Sequence, residues 1–213
     1  MSRRWWKGTL LKADFICSAA HYSDVPEPSG VEICVMGRSN VGKSSFVNHI
    51  FENYSLAKVS KKPGKTTLAN FYSISDGSVW VDLPGYGYAR SSTNEQLRWG
   101  RLIEDYYKKR EALKGVVWLL DIRHPGLPID MQAYQWFCSR DISILPVLTK
   151  CDKLSNNKLI QQVKAFQHEF TFELEPMPYS VLNTKYRERF WTRYAAWLAE
   201  LSQQTAGDHA ENS

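Results

Sequence analysis

No apolar run in this chain approaches the roughly 18 residues of a membrane-spanning helix, and no segment repeats another. The opening Met1-Ser2-Arg3-Arg4-Trp5-Trp6-Lys7 lacks the long apolar region of a secretion signal, so a cytoplasmic protein with no membrane partner is expected. Cysteine is scarce. Cys17, Cys34, Cys138 and Cys151 are scattered without a C-x-x-C pair, which argues against both a zinc site and a disulfide framework. Reduced thiols fit the cytoplasmic address. Neither sign of charge dominates either, and a formal net charge of +5 is compatible with an RNA-rich partner without demanding one.

What is present suits one α/β domain: 213 residues, 43% of them hydrophobic, are enough for a full-sized core. Residues 1–29 mix bulky aromatics with Pro26 and Pro28 and read as an N-terminal extension. Residues 30–201 read as the domain, and the polar residues 202–213 as a disordered tail. Strand-like runs at 31–36, 70–75, 78–83, 115–120, 143–149 and 175–180 alternate with helical patterns. Helices are expected over 156–170, with Ser155 as N-cap, and over 186–201, each carrying an apolar stripe that packs on a sheet. Such alternation predicts a three-layer, mostly parallel, doubly wound sheet with ligand loops at the carboxyl ends of its strands. Pro146 disagrees locally, because it cannot donate to a ladder, so the strand at 143–149 is expected to be regular only from Val147 onward.

The first strand runs into Gly37-Arg38-Ser39-Asn40-Val41-Gly42-Lys43-Ser44-Ser45, which fits G-x-x-x-x-G-K-[ST] at every fixed position. The pattern describes a triphosphate cradle. Glycines sit where a Cβ would collide with a polyanion, and consecutive N–H groups turn toward the α- and β-phosphates. Lys43 brings a point charge to the β/γ-phosphates, and Ser44 offers a hydroxyl to Mg²⁺. Phe46, Val47 and Ile50 then have the spacing of a helix whose positive end favours the same anion.

Identifying the base needs other residues. Thr149-Lys150-Cys151-Asp152 lies close to the N-K-x-D pattern that reads guanine. A carboxylate at Asp152 can accept from both N1–H and N2–H of guanine, whereas adenine offers no donor pair there and would leave a charge unpaired. Lys150 can lay its stem over the ring while its amine reaches back to the phosphate loop. Tyr179-Ser180-Val181 closes the last strand where backbone amides can meet the guanine O6.

At the γ-phosphate end, Asp82-Leu83-Pro84-Gly85 follows the strand at 78–83. Asp82 would hold Mg²⁺ through a water, and the Gly85 amide would face the γ-phosphate, so that losing that phosphate releases the following segment. A cation-rich loop, Lys61-Lys62-Pro63-Gly64-Lys65-Thr66-Thr67, precedes Leu68. Gly64 to Leu68 form the first switch candidate, in which Thr66 completes the metal shell and Thr67 is the competing choice.

Together these motifs resemble the EngB (YihA-type) family of bacterial ribosome-assembly GTPases, within the translation-factor-like phosphate-loop class, over about residues 30–201. Asp121-Ile122-Arg123-His124-Pro125 and Asp130-Met131 are similar to that family's signatures too, while Pro146 and Val181 depart from them. The resemblance implies a monomeric, Mg²⁺-dependent GTPase switch that binds GTP and GDP and acts on the large ribosomal subunit precursor. Ras-type GTPases orient the attacking water with a glutamine after D-x-x-G. Here that position is Tyr86, a poor substitute, so intrinsic turnover should be slow and another group must complete the site. Asn40 is one candidate, since in related GTPases an asparagine in this place helps hold K⁺ near the α- and γ-phosphates. The alternative is that Asn40 only tolerates a left-handed turn. A nucleotide-dependent RNA-binding module with negligible catalysis is the rival function. An ATP-using kinase is argued against by Thr149–Asp152.

Overall fold

The computed structural model describes residues 11–57, 68–87 and 93–211. In chain order the elements are β1 (Ala13–Ala19), β2 (Glu32–Gly37), α1 (Lys43–Ile50), β3 (Ala69–Ile74), β4 (Val79–Asp82), α2 (Thr93–Lys109), β5 (Leu113–Asp121), α3 (Pro128–Cys138), β6 (Ser143–Thr149), α4 (Asn156–Glu169), β7 (Met177–Pro178) and α5 (Thr184–Glu211). Among the described residues the strands form one seven-stranded sheet in the order β1-β3-β4-β2-β5-β6-β7. Pairings from β4 through β2, β5 and β6 to β7 are parallel, and only β1 with β3 and β3 with β4 are antiparallel.

The two faces of β2 show why the chain layers as it does. Successive side chains on a strand point to opposite sides. Ile33 and Val35 join the core made with α1 and α5, whereas Cys34 and Met36 join the core made with α2, α3 and α4. With every residue of β2 buried, both faces need helices, as a central parallel strand requires. On the α5 side Trp80 packs against Phe51, Trp191 and Tyr194 with ring centroids 5.0, 5.8 and 5.4 Å apart, and its Nε1 donates to the Tyr194 hydroxyl at 2.8 Å. Gly115 of β5 lets α5 come this close, because a Cβ there would lie 2.4 Å from the Trp197 ring. At the opposite end of the sheet from the ligand loops, Arg110 follows α2 and grips Glu32 with Nε at 2.9 Å and a terminal nitrogen at 2.6 Å. The same guanidinium also donates to the Pro26 carbonyl.

Several expectations need correction. The segment read as an extension up to residue 29 contains β1, an edge strand of the sheet. A register shift between Phe15 and Cys17 breaks the alternation that would have revealed it, and Phe15 and Ile16 lie exposed. Next, β6 is regular from Ser143, with Pro146 paired opposite Trp118. Pro146 has the same parity as Leu148, whose carbonyl accepts from Tyr179 N on the β7 side at 2.8 Å. Since β7 begins opposite Val147, the missing N–H faces a side the ladder does not use. The strand expected over 175–180 shortens to Met177–Pro178. Finally, α5 continues to Glu211, so residues 202–211 are helical where a disordered tail was expected. Apolar periodicity reports burial, and Gln203, Gln204, Ala206 and Ala210 favour a helix without it.

Candidate functional site

The phosphate loop fills the turn between β2 and α1, its shape set by three residues. A Cβ on Gly37 would meet the Leu119 carbonyl oxygen at 2.7 Å and Val41 at 2.9 Å, so only glycine lets β2 end against β5. Asn40 and Gly42 then take left-handed backbone conformations, with φ of 64° and 104°. Val41 is buried, its N–H bonded to the Arg38 carbonyl at 3.0 Å, and it pegs the loop to the core. Arg38, Ser39 and Asn40 ride above that peg, and α1 starts at Lys43 with Ser44 and Ser45 in its first turn.

Lys43 is buried, and its ammonium is ion-paired with Asp82 at the end of β4. The register makes this meeting inevitable: Asp82 lies opposite Val35 on β2, just before the loop. Beyond it, Leu83 is buried and Pro84 leads to Gly85, which presses on the phosphate loop. A Cβ on Gly85 would lie 3.0 Å from the Gly37 carbonyl oxygen and 3.2 Å from Ser39 N. Tyr86 completes the contact, accepting from Ser39 N at 3.0 Å and donating its own N–H to the Gly37 carbonyl at 3.3 Å.

The Tyr86 side chain is committed elsewhere. Its hydroxyl donates to Asp130 Oδ1 at 2.7 Å in the first turn of α3 and accepts from Trp118 Nε1 at 2.8 Å. Burial, and then the neighbouring Asp130 carboxylate, push the phenol far above its ordinary range, so it is a fixed hydroxyl at neutral pH. Burial raises the Asp130 carboxyl as well. Asp130 was legible only as part of a family signature, because nothing in the sequence links it to a tyrosine 44 residues away.

On the base side, Thr149 ends β6 and donates its hydroxyl to the carbonyls of Val41 at 2.8 Å and Leu120 at 3.1 Å. Lys150 adopts a left-handed conformation with φ 63° and sends its ammonium to the Asn40 carbonyl at 2.7 Å and Asp121 Oδ2 at 2.9 Å. Cys151 is buried, and burial pushes its thiol up. Asp152 accepts from the Ser180 hydroxyl at 2.8 Å. Although burial opposes it, that bond helps hold the Asp152 carboxyl below the usual range, and so ionised. Tyr179, just before Ser180, pairs its hydroxyl with His49 Nδ1 of α1 at 2.5 Å, and Val181 is partly exposed beyond. Asp121 and Arg123 brace the intervening loop through bonds of 2.7 and 2.8 Å.

The phosphate loop, Asp82–Gly85, Thr149–Asp152 and Ser180 therefore converge at the carboxyl ends of the parallel strands. Of the first switch candidates, Gly64, Lys65, Thr66 and Thr67 lie outside the described residues, as do Lys61 and Lys62. Leu68 is described, partly exposed at the entry to β3. Among the described residues no three or more His, Cys, Asp or Glu side chains gather as a metal cluster. No helix among them is long and apolar enough to cross a membrane.

A G-x-x-x-x-G-K-S loop between β2 and α1 at the carboxyl end of a doubly wound sheet, faced by the Thr149–Asp152 segment, is the arrangement of a P-loop GTPase. Residues 32–150 match the family described as "50S ribosome-binding GTPase". The probable GTP-binding protein EngB of Glaesserella parasuis is 40% identical over 197 residues, covering 91% of this chain and 94% of the relative. That of Exiguobacterium sibiricum is 43% identical over 164 residues, covering 77% and 85%. A crystal structure of a probable GTP-binding protein EngB superposes with a TM-score of 0.64 at 21% identity, covering 82% of this chain and all of that one. The chain belongs to the EngB family of GTP-binding proteins.

The Tyr86 hydroxyl is held by Asp130 and Trp118 in one buried hydrogen-bonded chain, which suits a bracing side chain. Tyr86→Phe leaves the Asp130 carboxyl and the Trp118 N–H without their partner and should destabilise the fold by about 1–3 kcal/mol in urea unfolding. Single-turnover GTP hydrolysis should change by no more than a few-fold. A hundredfold loss of hydrolysis with unchanged stability would mean that the phenol takes part in the chemistry.

Proposed function

We propose that this GTPase holds GTP or GDP between the phosphate loop and the Thr149–Asp152 strap, and acts as a nucleotide switch on a precursor of the large ribosomal subunit. The observation that carries the first half is the Lys150 ammonium, which bonds the Asn40 carbonyl of the phosphate loop at 2.7 Å and so ties the two motifs to each other. In this reading the N–H groups from Arg38 to Ser45 and the Lys43 charge hold the phosphates. Asp152, oriented by Ser180, reads the guanine edge, and backbone amides at Tyr179–Val181 meet O6. Hydrolysis is then positioning and charge neutralisation, with water as nucleophile.

The donor set suits Mg²⁺. The Ser44 hydroxyl is a hard oxygen donor and the Asp82 carboxylate can hold a metal-bound water, and Mg²⁺ is usually held by one or two protein groups with the phosphates and waters supplying the rest. When bound it neutralises charge on the β- and γ-phosphates, with Thr66 as the further ligand in preference to Thr67. Gly64 to Leu68 and Asp82 to Gly85 are the two switches. The close packing of Gly85 on the phosphate loop supports its responding to a third phosphate. Asn40 would help hold a K⁺, whose charge would stand in for an arginine finger. Its φ of 64° equally suits a plain turn. Hydrolysis at equal ionic strength should be faster in KCl than in NaCl for the native chain and alike in both for Asn40→Ala, and equal native rates would remove K⁺ from this site.

Support for the ribosomal role is the description of the matched family and the +5 net charge, which suits RNA phosphates in a cytoplasmic, monomeric protein. The lysines at 61, 62 and 65 crowd the first switch, so GTP should present them. Sedimentation with large-subunit precursors should be stronger with a GTP analogue than with GDP and should weaken as KCl rises, because phosphate contacts release counterions. Association blind to both nucleotide and salt would contradict the switch.

Base choice gives a sharper test. Asp152→Asn replaces an acceptor pair by one acceptor and one donor. It should weaken guanine nucleotides by about 3 kcal/mol and improve xanthine nucleotides in competition binding. Unchanged guanine affinity would remove Asp152 from the base site.

A further inference from the structure

Asp121 ends β5 with its side chain 2% exposed, and both carboxylate oxygens are occupied. Oδ1 accepts from Arg123 N at 3.2 Å and Arg123 Nε at 2.8 Å. Oδ2 accepts from a terminal Arg123 nitrogen at 2.7 Å and from Lys150 Nζ at 2.9 Å. Burial would raise this carboxyl, but its two cationic partners outweigh burial and keep it ionised far below the usual carboxylate range.

What Lys150 does with the rest of its ammonium matters more. The same nitrogen donates to the Asn40 carbonyl, and both residues stand in the left-handed backbone region, Lys150 at φ 63° and Asn40 at 64°. Residues other than glycine adopt that conformation uncommonly, asparagine more readily than lysine. Here two such residues, one on the base strap and one on the phosphate loop, are joined through a single ammonium. Asp121 is the anion that fixes that ammonium in place.

We propose that Asp121 is a positioning residue for nucleotide selection: acting through Lys150, it sets the spacing of base strap and phosphate loop, and with it the affinity for guanine nucleotides. This rests on the reading that Lys150 and Asp152 hold guanine. An asparagine at 121 has nearly the same shape but presents an NH₂ to one of two partners, Arg123 and Lys150, that are themselves only donors. One of them must let go, and the charge that held both is gone.

The test is a double-mutant cycle on GDP affinity, using a fluorescent N-methylanthraniloyl-GDP titration of the native chain, Asp121→Asn, Lys150→Met and the double variant. Urea unfolding of each reports stability separately. Asp121→Asn should weaken GDP by about tenfold in the native background and by less than about twofold beside Lys150→Met, the signature of one residue acting through the other. An equal loss in both backgrounds, or no loss, overturns the proposal. Competition by GTP and ATP on the native chain tests the underlying guanine reading by itself: equal competition would sink that reading, while the cycle still reports whether Asp121 acts through Lys150. Should Asp121→Asn fail to fold, nitrogen-15 NMR of the native side-chain ammonium groups decides. The Lys150 signal should persist at neutral pH while that of Lys153, whose side chain is 61% exposed, is lost to exchange. Loss of both at the same pH would overturn the proposal.

Discussion

A buried ammonium must have a partner, and the architecture of this protein arranges one for Lys43. The lysine opens α1 at the end of β2, and the carboxylate that meets it, Asp82, ends the neighbouring β4. For the two to meet, β4 must lie directly beside β2 in parallel register, which places the β3–β4 hairpin on one side of β2 and β5 on the other. The same carboxylate begins Asp82–Gly85, so the charge that neutralises Lys43 is also the one a metal ion would engage. In the proposed complex a magnesium triphosphate would exchange one ion pair for another instead of exposing a bare charge.

The remainder of the fold holds the ends of this pair still. On one face Trp80, Trp191 and Tyr194 lock α5 onto β4. On the other Trp118 of β5, Tyr86 and Asp130 connect the strand, the second switch and α3 in one hydrogen-bonded chain. The base strap is tied separately, by Thr149 to the Val41 carbonyl and by Lys150 to the Asn40 carbonyl. Phosphate loop, second switch and base strap thus meet at a few backbone atoms between Gly37 and Val41.

Much of this was legible in the sequence because the motifs encode backbone constraints. Gly37 and Gly42 stand where a side chain would collide or where φ is positive, and the strand runs before Gly37, Asp82 and Thr149 place all three loops at one end of a parallel sheet. Other features were hidden for physical reasons. A register shift in β1 erased its alternation, so an edge strand looked like an extension. Regularity of β6 before Val147 is hidden because the parity of Pro146, which turns the missing N–H away from the ladder, follows from which neighbour ends where. The helix past residue 201 lacks an apolar stripe. The pairs Tyr86–Asp130 and Lys150–Asp121 join residues 44 and 29 apart, and local pattern carries no signal for such contacts.

The central claim is that one space, walled by the phosphate loop and the Thr149–Asp152 strap, accepts a guanine nucleotide and rejects adenine. Calorimetric titration of the unmodified chain with GTP, GDP and ATP at fixed Mg²⁺ and salt tests it most directly. The account predicts one site for GTP and GDP, with ATP at least about a hundredfold weaker because it leaves the Asp152 carboxylate without donors. Equal affinity for ATP and GTP would contradict it.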